Sequence, residues 1–83
     1  MQVTVRYRAH LAALTKTASE QIDAATVKDI LRHIKTSFSA EAEKRAKSML
    51  IAVNGESILQ HARFNTVLED GDEVSFLPLC GGG

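Results

Sequence analysis

Thr26-Val27-Lys28-Asp29-Ile30-Leu31-Arg32-His33-Ile34-Lys35-Thr36-Ser37-Phe38 is the stretch on which the fold turns. Val27, Ile30, Leu31, Ile34 and Phe38 recur at i, i+3, i+4, i+7 and i+11, which is one apolar stripe along an α-helix. Lys28, Arg32 and Lys35 fall off the stripe, and His33 lies beside it. The Thr26 hydroxyl is placed to cap the first turn, and Asp29 completes a capping-box-like pair at the positive end of the helix dipole. A helix from Thr26 to Phe38 would span about 20 Å. With apolar residues on one side only, it needs one partner surface, and the flanking sequence supplies strands for it.

Upstream, Gln2 to Arg8 alternates, with Val3, Val5 and Tyr7 on one side and Gln2, Thr4, Arg6 and Arg8 on the other. That period marks a half-buried strand. Ala9 to Lys16, with Leu11 and Leu14, fits a helical turn or a packed loop. Ala18 to Asp23 reads as a second strand anchored by Ile22 and pairs with the first as a hairpin.

Downstream, Ser39 to Ser48 is polar. Glu41–Arg45 and Glu43–Lys47 have the i,i+4 spacing of a solvated helix. Leu50-Ile51-Ala52-Val53 is apolar on both faces, as for a central strand of a covered sheet. Asn54-Gly55 is a tight-turn signal, Ile58 and Leu59 suggest a further short strand, and Asp70-Gly71-Asp72 turns into a closing strand, Glu73 to Leu79.

A helix between a hairpin and later strands covers one face of a mixed sheet, and the right-handed crossover sets the closing strand beside the first. The expected class is α+β: a β-grasp, or ubiquitin-like, domain over residues 1–79, with four to five strands and one main helix on one face. In the closing strand Val74 and Phe76 share a face, and Ser75, Leu77 and Leu79 share the other. If the first pair meets the helix, Leu77 and Leu79 either form a docking surface or pack under the Ala9–Lys16 segment.

The totals exclude several classes. Ten Lys and Arg balance ten Asp and Glu, which argues against nucleic acid as the main partner. One cysteine makes no internal disulfide and asks for no oxidising compartment. Apolar runs fall short of the ~20 residues of a membrane span, and the N-terminus lacks a signal-peptide pattern, so the cytoplasm is the expected location and no membrane partner is expected. His10, His33 and His61 lack metal-ligand spacing, no calcium loop surrounds Asp70, Asp72 and Glu73, and no phosphate-cradling glycine motif opens a helix, so no metal or bound cofactor is expected.

The sequence closes on Cys80-Gly81-Gly82-Gly83. Glycines add no packing, and ordering each costs about 1–2 kcal/mol of backbone entropy. Their use lies elsewhere. Residues 80–83 are expected to form a flexible arm that offers the Gly83 carboxylate to a partner's active site, and Leu79 to Gly83 reach at most ~18 Å when extended. Cys80 has no adjacent His to make it a nucleophile and reads as the hinge from the strand.

Leu68-Glu69-Asp70-Gly71-Asp72-Glu73-Val74-Ser75-Phe76-Leu77-Pro78 leading to glycine, Val53-Asn54-Gly55-Glu56, and the capped helix Thr26-Val27-Lys28-Asp29-Ile30-Leu31 together resemble the MoaD/ThiS sulfur-carrier family. The resemblance covers essentially the whole chain. The longer Tyr7–Lys16 connection and the Ser39–Ser48 segment look closer to the small subunit of molybdopterin synthase than to thiamine carriers. Leu77-Pro78-Leu79 stands where molybdopterin carriers often have two prolines, and only Gly82-Gly83 is the family minimum. Carriers for thiamine, cysteine or tungsten-cofactor synthesis, and ubiquitin-like modifiers joined to targets through Gly83, stay open as alternatives.

The resemblance implies a protein cosubstrate that is not an enzyme by itself. A ubiquitin-activating-type adenylyltransferase would use ATP to adenylate Gly83, since a free carboxylate is a poor electrophile. A sulfur donor such as a persulfide protein would then leave a Gly83 thiocarboxylate. Gly81 and Gly82 would give access to partner sites, Leu77 and Leu79 would take part in docking, and the molybdopterin synthase large subunit would hold the catalytic pocket.

Overall fold

A computed structural model describes residues 1–78. Its elements run β1 (Gln2–Arg6), α1 (Ala9–Thr15), β2 (Ser19–Asp23), α2 (Val27–Ser37), α3 (Ala40–Lys47), β3 (Leu50–Val53), β4 (Glu56–Ser57) and β5 (Glu73–Leu77). Two short 3-10 turns, Ile58–Gln60 and Arg63–Asn65, fill the connection from β4 to β5.

The five strands form one mixed sheet in the order β2-β1-β5-β3-β4. β1 is antiparallel to β2 and parallel to β5, with Arg6 opposite Ser75. β5 is antiparallel to β3. The closing strand therefore occupies the centre of the sheet, as the β-grasp expectation requires.

The helices cover one face. Val3 and Val5 from β1, Val74 and Phe76 from β5 and Ile51 from β3 meet Val27, Ile30, Leu31 and Ile34 of α2 in a single core. The Thr26 hydroxyl accepts from the Asp29 amide at 3.3 Å, and Asp29 Oδ2 accepts from the Thr26 amide at 3.1 Å. These bonds satisfy donors that the first helical turn leaves open. Thr26 and Phe38 are the caps of α2, so the helix proper is two residues shorter than the expected span from Thr26 to Phe38.

One open reading is resolved in favour of a helix, and two expectations need correction. The Ala9–Lys16 connection is a true helix, which packs against α3 and sends Leu11 into the core. α3 is not simply a solvated helix, because Ala42 and Ala46 are fully buried; their lack of bulk lets it approach closely. Of its two charge pairs, Glu43–Lys47 forms at 3.9 Å, and Glu41–Arg45 is not an ion pair. Ile58 and Leu59 do not extend a strand. The strand is Glu56–Ser57, after which Ser57 caps a 3-10 turn that buries Ile58 and exposes Leu59.

The two polar turns are joined. Asn54 and Gly55 both have positive φ, which tightens the β3–β4 hairpin. Asn54 then donates to Asp72 Oδ1 and accepts from the Glu73 amide, each at 2.9 Å. Asp70 accepts from the Gln2 amide at 2.9 Å and Asp72 from the Glu69 amide at 2.8 Å. The acidic turn is a clasp that fixes where β5 begins.

Candidate functional site

The candidate site is built around β5. Its inward residues, Val74 and Phe76, are fully buried, while Ser75 and Leu77 face the uncovered side of the sheet. Phe76 stacks on Tyr7 with ring centroids 6.1 Å apart and planes inclined by 25°. Tyr7 meets Phe38 edge-on at 6.0 Å. Three aromatic rings from β5, the end of β1 and the end of α2 thus clamp the strand just before it leaves the sheet.

Tyr7 is fixed at its polar end as well. Its hydroxyl donates to Glu20 Oε2 at 2.5 Å, and the same oxygen lies 3.0 Å from His33 Nε2. Burial first, and then the bond to Glu20, push the Tyr7 phenol above its ordinary range. His33 is thereby placed at the edge of the helix–sheet contact, with a carboxylate partner that sequence spacing did not reveal.

On the uncovered face Leu77 lies opposite Leu50, both half-buried. Arg6 Nε donates to Glu73 Oε2 at 2.7 Å on the same face. Leu77 therefore has an apolar neighbour on β3. The alternative in which it packs beneath the Ala9–Lys16 segment is not the arrangement found, because α1 joins the helix layer with Leu11 in the core.

Leu50 also borders a groove of about 310 Å³ that runs between β3 and the 3-10 turns. Met49, Ile58, Leu59 and Phe64 give it an apolar surface, and Lys47 and Arg63 stand at its margin. Leu59 and Phe64 are exposed. Neither was singled out in sequence as a surface residue; an aromatic inside the polar run His61 to Thr66 was the available signal.

Leu79, Cys80, Gly81, Gly82 and Gly83, with the expected arm over 80–83, lie outside the described residues. Leu77 is the proposed docking residue that the structure places. Among the described residues no cluster of three His, Cys, Asp or Glu side chains could hold a metal ion, and no helix is long and apolar enough to cross a membrane. His10, His33 and His61 do not converge; His61 lies 3.4 Å from Glu56, and His33 belongs to the Tyr7–Glu20 network.

A family model described as the ThiS family matches residues 5–83. No curated protein sequence matches the chain significantly. Among solved structures, small archaeal modifier protein 1 from Methanosarcina acetivorans is 25% identical with a TM-score of 0.84, covering 99% of this chain and 96% of that one. A chain of the BexX/CysO complex from Amycolatopsis orientalis is also 25% identical, with a TM-score of 0.82 over 98% of this chain and 99% of that one. A chain of the complex between subunits 1 and 2 of the molybdopterin-converting factor from Helicobacter pylori 26695 is 28% identical, with a TM-score of 0.72 over 100% of both chains.

Proposed function

This chain belongs to the ThiS family, and from that membership we propose a sulfur carrier that works through Gly83. A carboxylate oxygen of Gly83 attacks the α-phosphorus of ATP bound to a ubiquitin-activating-type partner, and pyrophosphate leaves. The terminal sulfur of a persulfide donor then attacks the acyl carbon and AMP leaves. A second thiol of the donor system cleaves the acyl disulfide, taking up the donor sulfur as a disulfide and releasing the carbonyl sulfur. The thiocarboxylate that results donates its sulfur in the active site of the accepting enzyme. Gly81 and Gly82, lacking Cβ atoms, suit a narrow approach to such sites. Leu77 and Leu79 contribute to docking, Leu77 together with Leu50.

The observation that carries this reading is the family match running through Gly83, together with a β5 that is clamped at the sheet centre by Phe76 and Tyr7. A rigid take-off strand lets docking energy be spent on placing the terminal carbonyl instead of on ordering the domain.

Within the family, we assign the chain to the small subunit of molybdopterin synthase. Support comes from the end-to-end likeness to a chain of the Helicobacter pylori two-subunit complex, and from α1 and α3, which occupy the two segments that sequence linked to that branch. A second reading, a modifier joined to protein targets through Gly83, is favoured by the likeness to small archaeal modifier protein 1.

Intact-mass measurement after incubation with an adenylating partner, ATP and a sulfur donor tests the carrier. An oxygen-for-sulfur mass increment at Gly83, consumed on adding the large subunit and its pterin precursor, is the expected result. ATP-dependent isopeptide adducts on lysines without that increment would favour the modifier. No change with any activating partner would overturn both.

A further inference from the structure

The balanced totals of ten cations and ten anions hide an uneven distribution. Lys28, Arg32 and Lys35 recur at i, i+4 and i+7 along the outer side of α2. The neighbouring α3 brings Lys47 to the same place. These four cations border a groove of about 320 Å³, whose exposed apolar side chain is Phe64, Leu31 being buried in the core. It lies across the helix layer from the uncovered sheet face that carries Leu77.

Neutralisation within this groove is partial. Glu43 is the one carboxylate among its described lining residues and meets Lys47 at 3.9 Å, while Arg32 leans to Asp29 at 3.2 Å. Lys28 and Lys35 make no ion pair among the described residues. Like charges one helical turn apart repel, so an anionic occupant would relieve a tension that the fold itself leaves in place.

We propose that this groove docks an acidic peptide segment of a protein partner, with carboxylates against Lys28, Arg32, Lys35 and Lys47 and an apolar side chain on Phe64. The dimensions suit a peptide. Lys28 to Lys35 spans about 10.5 Å along the helix axis. Alternate side chains of an extended strand are about 6.6–6.8 Å apart, so two acidic residues on one edge of a short segment fall within reach of the row. The residue between them points to the other side, where Phe64 offers apolar contact. A nucleic-acid backbone fits less well, since phosphates would pass the Glu43 carboxylate and the chain has no basic surplus to draw them in. The proposal concerns a different face from the sulfur-carrier reading and does not rest on it.

The test uses the full chain, labelled for amide NMR, and a short peptide alternating Glu and Leu. Expected are saturable shifts at Lys28–Lys35, Lys47 and Phe64, and an affinity that falls as salt rises. The double variant Lys28→Glu/Lys35→Glu changes two exposed side chains and should weaken binding by about tenfold with an unchanged far-UV spectrum. Phe64→Ala should weaken binding while leaving its salt dependence intact. The proposal is overturned by no saturable binding, by equal affinity in the charge-reversed variant, or by equal affinity for a peptide alternating Gln and Leu. Shifts confined to the sheet face around Arg6 and Ser75, or tighter binding of an oligothymidylate than of the peptide, would overturn it too.

Discussion

The Tyr7 hydroxyl and the Glu20 carboxylate meet at 2.5 Å, joining the end of β1 to β2 directly beneath α2. Tyr7 is the only tyrosine in the chain, so its ionisation can be followed by absorbance without interference. Its folded pKa is raised above the unfolded value of about 10. The protonated phenol therefore contributes stability fully below pH ~10, and that contribution is lost as pH rises from there toward the folded pKa. In an alkaline titration the phenolate band should appear together with loss of far-UV structure. A band that grows in at about pH 10 with the fold intact would contradict this placement.

Tyr7→Phe keeps the ring stack on Phe76 and removes only the hydroxyl. A hydrogen bond to a carboxylate that is itself partly solvated should be worth about 1–2 kcal/mol, which lowers Tm by several degrees in a domain of this size. Urea melts of the variant and wild type provide the comparison. Equal midpoints would mean that the 2.5 Å contact is not stabilising.

The capping box should be separable from the core. Thr26→Ala is expected to cost about 1 kcal/mol. Asp29 has its pKa lowered, chiefly by the Ala25 amide and then by the Thr26 amide and Arg32. Its contribution is present above the unfolded pKa of about 3.9 and is lost as pH falls through the lower folded value. Asp29→Asn should accordingly flatten the acid limb of the stability profile, measured by melts at stepped pH.

Phe76 and Leu77 are adjacent yet should respond in opposite ways. Phe76→Ala opens the clamped core and is expected to lose about 3–5 kcal/mol of stability. Leu77→Ala removes a half-buried side chain on the uncovered face and should cost less than about 1.5 kcal/mol while slowing sulfur loading. Thermal melts and rates of mass change on Gly83, run on both variants, separate the two roles.

Deleting Gly83 should abolish the oxygen-for-sulfur exchange and leave Tm where it was. Sulfur transfer that persists in the deletion would refute the terminal-carbonyl mechanism, whichever pathway the carrier serves.

What could be read from sequence was what local physics decides. Thr26 and Asp29 are three residues apart and announce a helix start without reference to anything else. Val3, Val5 and Tyr7 alternate because a strand beside a core must. Ala42 and Ala46 escaped notice since alanine gives little hydropathy signal amid Glu41, Glu43, Lys44 and Arg45, although its small size is the reason that α3 packs there. Ile58 and Leu59 are too few to distinguish a strand from a 3-10 turn. In sequence, basic residues stand out only as Arg6 and Arg8 on the polar side of the first strand. The denser group joins Lys47 to Lys28, Arg32 and Lys35, and only the packing of α3 on α2 brings them together. The Tyr7–Glu20–His33 network is likewise tertiary, since thirteen positions separate Glu20 from each of its partners.

The parallel pairing of β1 with β5 also bears on how the molecule is made. Arg6 lies beside Ser75, sixty-nine positions later, and the centre of the sheet cannot close until that late segment is available. Contacts so distant in sequence slow folding, because a long loop must be closed before they reward it. On a ribosome the hairpin and α2 emerge early but lack the strand that completes their core. Nascent chains interrupted before Glu73 would have no sheet centre, and so would lack the face that carries Leu77. On the sulfur-carrier proposal, competence for charging would follow closure of the sheet by β5.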